Sequence, residues 1–387
     1  MEFDIVIVGG GLAGASLAVA LRQSSWRVAV VEGAVPVRAE GWDQRIYAIS
    51  PINQSFLEEL GVWQRLDASR LTPVSEMLVL GDSNGSLRFS AYDAGVGELA
   101  WITESSLLQL ELWETLKRQH NVRVFCPAKP SSLSIGDAGA ELVLTDGVRL
   151  RSRLVVAADG ANSWVRQHAG IEADFTQYDE VGVVANFRCA EGHRNTAFQW
   201  FRDGSILAWL PLPGDRISIV WSVATEESER LLALSPEAFC ESVAAAGDRR
   251  LGRLELDSAP AGFPLRLMRV SEVVRHRLAL VGDAAHAIHP LSGHGINLGF
   301  QDVRALSERL LRLPQWRDPG DLLVLRSYAR ERAEEPFLVQ YTTHALNRLF
   351  KMRDPLTSLV RNVGMNLTER VPVLKSALIR YAISGKF

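Results

Sequence analysis

Phe3-Asp4-Ile5-Val6-Ile7-Val8-Gly9-Gly10-Gly11-Leu12-Ala13-Gly14 runs from an almost wholly apolar segment into glycines and then into a helix-forming stretch. A strand buried on both faces reads this way, because it has no polar side to show. Gly9, Gly11 and Gly14 fall in the spacing GxGxxG, between that strand and the helix predicted from Leu12 to Ser24. The first glycine permits the tight turn, the second lets backbone approach a pyrophosphate, and the third lets helix and strand pack closely. Leu12 and Ala13 place free N–H groups at the helix start, where the positive end of the dipole faces an anion. Arg27 to Glu32 reads as a second buried strand, which completes a βαβ unit. Glu32 ends it, where a carboxylate accepts from ribose hydroxyls and disfavours a 2′-phosphate. The fingerprint alone does not separate FAD from NAD.

Two further strand ends carry the same chemistry. Leu154-Val155-Val156-Ala157 runs into Ala158-Asp159-Gly160, with a helix expected from Asn162 to Ala169. Taken by itself this is a strand-end turn; beside a phosphate-binding turn, its carboxylate can take a ribose hydrogen bond. Leu280-Val281-Gly282-Asp283 ends a third apolar run, placing Asp283 for a ribityl hydroxyl. Pro290 and Ser292-Gly293-His294-Gly295-Ile296-Asn297 then lead into a helix whose first N–H groups suit negative charge on a reduced flavin.

Composition bounds the rest. A chain of 387 residues suggests two joined lobes. An apolar fraction of 47% with 22% charge is that of an ordinary globular protein. A net charge of −3 argues against nucleic acid as a partner, since phosphates demand a basic field. Cys126, Cys189 and Cys240 are scattered, which fits a reducing cytoplasm. No basic leader, and no apolar run of the ~20 residues that span a bilayer, is visible. The residues from Glu180 to Trp221 alternate apolar and polar with many aromatics, predicting antiparallel strands with one covered face. Trp200, Trp209 and Trp221 lie on them, either in a core or lining a pocket. Asp146-Gly147 marks a hairpin, Ser235-Pro236 a helix start, and Pro336 an interruption in the helical stretch from Asp318 to Met352.

His286, His289 and His294 lie close together, but their loop offers no acidic or cysteine ligand, so no metal is expected. His286 reads as a structural hydrogen-bonding residue. The tail from Met352 to Phe387 interleaves Arg353, Arg361, Arg370, Lys375, Arg380 and Lys386 with apolar residues. It suits an anionic lipid surface, a partner helix or its own core.

The stretches Asp4–Gly14, Arg45–Ser50, Ala157–Gly170, Phe263–Leu265, Leu278–Asp302 and Arg361–Gly385 resemble those of the class A flavoprotein aromatic hydroxylases. The resemblance is closest to the ubiquinone-biosynthesis hydroxylases. It implies an α/β fold: a glutathione-reductase-type Rossmann FAD lobe, a mixed, largely antiparallel β-sheet substrate lobe and a helical C-terminus. The expected boundaries are 1–73, 98–178 and 277–351 for the FAD lobe, 74–97 and 179–276 for the sheet lobe, and 352–387 for the terminal segment. By position, Arg45 is the family's flavin-facing arginine and Gln109 its FAD-contacting glutamine. Asp159 belongs to a motif shared by FAD and nicotinamide, while Asp283, Pro290 and the Gly293–Asn297 turn are flavin-binding. His294 replaces the family's usual glutamine, and Ser105 a common asparagine. The absence of a second GxGxxG suits transient docking of NADPH or NADH.

The activity expected is NAD(P)H- and O₂-dependent hydroxylation of a lipophilic aromatic ring, a prenylated phenol or quinol, with Arg45 and His294 as candidate catalytic residues. The expected setting is the cytoplasm or the inner face of its membrane, with a membrane or a biosynthetic complex as partner. The alternatives are hydroxylation of a soluble aromatic metabolite and a non-catalytic FAD-binding subunit. A flavin halogenase is disfavoured, because Ile206-Leu207-Ala208-Trp209-Leu210-Pro211 lacks paired tryptophans.

Overall fold

Four buried strands set the frame of the protein. The computed structural model describes residues 1–81, 85–202, 204–287, 295–338 and 340–341. Ile5–Val8, Val28–Val31, Leu154–Ala157 and Leu278–Leu280 are buried at every residue, as their apolar runs require. They lie side by side in a six-stranded sheet, flanked by Val122–Phe125 at one edge and the short antiparallel Val274–Arg275 at the other. Val8 pairs in register with both Val31 and Ala157, and Ala157 with Leu280. One row of residues therefore ends four parallel strands together. The segments that follow — Gly9, Glu32, Asp159 and Gly282-Asp283 — leave the sheet along a single carboxyl edge, the position at which open α/β sheets bind ligands.

The predicted α-helix from Leu12 ends at Ala20 and tightens into a 3₁₀ turn over Leu21–Gln23, closed by the Ser24 hydroxyl on Leu21 O. It packs against the helices Ser105–Lys117 and Gly295–Arg312. A meander of Pro130–Gly136, Gly139–Leu144 and Arg149–Ser152 turns at Asp146-Gly147 as expected, with Gly147 at φ 85°. Ser235 caps the helix Pro236–Ala246 by accepting from Ala238 N. The interruption predicted at Pro336 falls earlier. The helix Leu322–Glu331 stops at Arg332, and Pro336 sits in the first turn of the helical stretch that follows, where its missing N–H leaves no hydrogen bond broken.

The predicted antiparallel strands form the second, larger sheet. Its order is His286–Ala287, Ala261–Val270, Ala173–Cys189, Arg216–Ala224, Ser205–Leu212, Thr196–Arg202, Glu76–Leu80 and Ser86–Ser90, with Leu254–Leu256 paired beside Ala173–Cys189. One contact in it is parallel, between Thr196–Arg202 and Glu76–Leu80, so the sheet is mixed. Ile46–Ile49, Ala100–Glu104 and Thr72–Val74 make a further small sheet of three strands.

Candidate active site

A cavity of about 870 Å³ opens between the carboxyl edge of the parallel sheet and one face of the large sheet. At its nucleotide end the three glycines do different work. Gly9 takes φ +103°, and a Cβ there would lie 2.3 Å from Ala158 O. Gly14 touches Gly9 so closely that a Cβ would sit 1.9 Å from Gly9 O. At Gly11, by contrast, a Cβ would meet nothing within 4 Å, because it would point into the cavity. Gly11 is also the N-cap of its helix without any side-chain cap, so the first helical N–H groups are left for a ligand. Leu12 and Ala13 line the cavity beside it. Gly10 turns the other way. Its N–H donates to Glu32 Oε2 at 2.6 Å, and its carbonyl accepts from Trp113 Nε1 at 2.7 Å and Gln109 Nε2 at 3.4 Å. Glu32 and Gln109 both line the cavity, so they brace the turn from the side on which a ligand would lie.

Asp159 Oδ2 accepts from Val165 N at 3.1 Å, whereas Oδ1 is buried without a hydrogen-bond partner among the described residues. Burial pushes this carboxyl above its ordinary range, against the hydrogen bonds that favour its charge. Asp283 is exposed, but to the cavity, and protein surrounds it beyond. Burial therefore raises its carboxyl too, offset by the positive fields of His286 and Arg45. Arg45 also lines the cavity, at the end of a strap whose Asp43 caps the helix Ser105–Lys117 through Ser106 N. Tyr47, not singled out in the sequence, lies near Arg45, and burial raises its phenol.

Gly295, Ile296 and Asn297 complete this end. The Asn297 side chain is engaged in the protein: Oδ1 accepts from Ser50 N and Asn53 Nδ2, each at 2.9 Å, and Nδ2 donates to Ala48 O. It fixes the helix start against residues 48–53. Pro290, Gly293 and His294 lie outside the described residues, as do His289 and the tail from Met352. His286 is buried, and its Nε2 pairs with Asp302 Oδ2 at 2.6 Å, the structural role expected of it.

The far wall is the large sheet, and strand periodicity sorts it. Ala197, Gln199, Ile206, Ala208, Leu210, Val220 and Ser222 face the cavity. Trp200, Trp209 and Trp221 belong to the opposite face, packed with Phe239 and Val243 of the helix Pro236–Ala246. Of the two readings of the tryptophans, core wins for all three.

Buried charges at the motif loops escaped the sequence reading. Arg166 donates to Ala284 O at 3.0 Å and Ala161 O at 2.8 Å, tying the second motif loop to the third. Asp302 holds Gly282 N at 3.0 Å. A signal existed for Asp302: it stands between Phe300 and Val303 on the buried stripe of its helix, where a charge is out of place unless paired.

Residues 2–339 match the FAD binding domain family. The chain belongs to that family. It is 34% identical to the ubiquinone hydroxylase UbiL of Rhodospirillum rubrum, covering 98% of this chain and 89% of the relative. It is 33% identical to the 3-demethoxyubiquinol 3-hydroxylase of Escherichia coli, with 98% of each covered. The structure of P. aeruginosa PqsL in complex with 2-aminobenzoylacetate superposes with a TM-score of 0.78 at 25% identity, covering 95% of this chain and 100% of that one. The protein is an FAD-dependent aromatic-ring monooxygenase. FAD fits what is present: the Gly11 cradle that a Cβ would fill and the uncapped helix N–H groups beside it. No helix of the described residues is long and apolar enough to cross a membrane.

Proposed function

We propose that this monooxygenase hydroxylates the ring of a prenylated phenol or quinol on the route to ubiquinone. One observation carries the reading: a single cavity joins the phosphate-binding turn at Gly11 to an apolar wall of Ala197, Ala208, Leu210 and Val220. The nucleotide end suits a dinucleotide and the wall suits a flat ring with a hydrocarbon substituent. Full-length relatives whose names carry ubiquinone hydroxylation support the same substrate class.

Bound FAD supplies the redox chemistry, accepting two electrons from NADH or NADPH and activating O₂. One oxygen atom enters the ring and the other leaves as water. In this reading the amides from Gly11 to Ala13 hold the pyrophosphate, and Glu32 takes ribose hydroxyls. Asp283 accepts from hydroxyls of the nucleotide or ribityl chain, Asp159 lends its carboxylate to the turn beside it, and Gln109 braces the glycine turn at Gly10 O. The helix start at Gly295–Asn297, which Pro290, Gly293 and His294 precede in the sequence, would supply N–H groups to negative charge on a reduced ring. Arg45 orients the flavin and the incoming nucleotide. The lobes would divide near residues 73, 98, 178 and 277, with the strands Ala173–Cys189 and His286–Ala287 of the large sheet reaching across the last two boundaries, and a ring held between them would be shielded from water.

A substrate this lipophilic must be collected from a membrane surface. The basic and apolar tail from Met352 to Phe387 suits that task on the cytoplasmic face, or a place in a biosynthetic complex. The test is to supply purified holoprotein with NADH or NADPH and either a prenylated phenol in detergent or its unprenylated counterpart, and to measure hydroxylated product. Better coupling with the soluble ring would overturn the substrate assignment.

A further inference from the structure

The turn Gly282–Ala287 carries Asp283 into the cavity, yet much of its fixation lies outside the cavity, in a chain of buried charges. Asp302 Oδ2 accepts from Gly282 N at 3.0 Å and pairs with His286 Nε2 at 2.6 Å, so one carboxylate oxygen grips both ends of the turn. Its other oxygen takes Arg332 Nε at 2.8 Å. Arg332 in turn pairs with Glu335 and donates to Gln301 Oε1. Asp302, His286 and Arg332 are all buried, and none of the three lines the cavity. Arg332 is the C-cap of the helix Leu322–Glu331, so the chain of charges joins the cofactor turn to the region where the last described helices meet.

We infer that Asp302 is a positioning residue for FAD: through His286 and the Gly282 amide it presets the turn that presents Asp283, and the charge of His286 sets how tightly the turn receives the anionic cofactor. The charges are balanced when His286 is protonated, with two cations, His286 and Arg332, facing two anions, Asp302 and Glu335. Burial opposes the charge on His286, but the Asp302 carboxylate outweighs it and holds the imidazolium above the ordinary histidine range. Its other charged neighbours are Arg332, Asp283 on its own turn and Arg269, its partner in register on the strand Ala261–Val270; Arg166 holds the same turn at Ala284 O. When His286 loses its proton, a net negative charge remains buried behind a turn that must accept a diphosphate. FAD affinity therefore falls as pH rises through the His286 titration. Below it, the turn is fully charged and binding is tightest.

The test is FAD titration of apoprotein, followed by flavin fluorescence from pH 5.5 to about 9, with a thermal melt of each preparation. Wild-type binding tests the cofactor reading on which this inference rests; the variants test the coupling. Asp302→Asn should weaken FAD by about tenfold or more, since a charged hydrogen-bond partner of the turn is lost. His286→Gln retains an amide donor for Asp302 without a titrating charge. It should flatten the pH profile and bind FAD over the whole range as wild type does at high pH. A His286→Gln profile that still follows the wild type overturns the inference, whether or not Asp302→Asn folds. So does a folded Asp302→Asn with wild-type affinity.

Discussion

Gly11→Ala separates binding from folding, and Gly14→Ala is its counterpart. Gly11 has φ −68° and ψ −170°, an extended conformation open to any residue, and a Cβ there meets nothing within 4 Å. The apoprotein should therefore keep its fold and melt close to wild type, because alanine is a poorer N-cap than glycine but restricts the unfolded chain. Restricting the unfolded chain at a compatible glycine contributes about 0.4–1 kcal/mol of stability. The methyl nonetheless projects into the space through which a phosphate reaches the helix N–H groups. Loss of one charge-assisted hydrogen bond costs about 1.5–3 kcal/mol, which is about a 10- to 150-fold rise in the Kd for FAD. Gly14→Ala should behave in the opposite way. Its Cβ would stand 1.9 Å from Gly9 O, which is backbone and cannot swing aside, so the fold itself must give by about 1–3 kcal/mol. The assay is FAD titration by fluorescence on apoprotein beside thermal melts of the same samples. A Gly11→Ala protein that binds FAD like wild type would refute the assignment of this turn to the pyrophosphate. One that loses FAD and several degrees of stability together would refute the geometric argument.

Asp283→Asn should weaken FAD by about 10- to 150-fold through loss of a charged acceptor, yet raise the melting temperature of the apoprotein. The sign follows from burial, which raises the folded pKa of Asp283. Its contribution is favourable below the unfolded pKa and is lost as pH rises through the folded one, so the variant's advantage should grow with pH above the carboxylate range and vanish at acid pH. A variant that melts lower than wild type at pH 8 would contradict this. Ala208→Phe fills the apolar wall and should raise KM for a prenylated ring more than for a bare phenol, with FAD content unchanged; equal effects on both would place the chain of the substrate elsewhere. Neutralising Arg361, Arg370, Lys375 and Arg380 should abolish salt-sensitive sedimentation with anionic vesicles, each charge contributing about 1 kcal/mol. Unchanged sedimentation would remove the tail from the membrane proposal.

The nucleotide end of this site was legible because its signals are local. An apolar run predicts a doubly buried strand, and three such runs ending in Gly or Asp-Gly predict one shared edge, which the register of Val8, Ala157 and Leu280 realises. The ring end was less legible. Alternation between Glu180 and Trp221 predicted one covered face, but both faces are buried, one under a helix and one beside the cavity, so polarity did not mark which was which. The small sheet of Ile46–Ile49, Thr72–Val74 and Ala100–Glu104 joins short strands far apart in sequence, and no periodicity survives over so few residues. Arg166, Asp302 and Arg332 are buried only because distant elements meet around them, and a sequence shows charges without showing what encloses them.

The large sheet has a consequence for how such an enzyme changes over evolutionary time. Trp200, Trp209 and Leu207 hold the rear core, while Gln199, Ala208 and Leu210 on the same two strands form the wall a substrate meets. Neighbours in the gene thus belong to separate physical systems, divided by the thickness of a backbone. Drift at alternate codons can reshape the chamber while the keel behind it stays rigid. A descendant could in this way take up a new ring without first passing through an unstable ancestor.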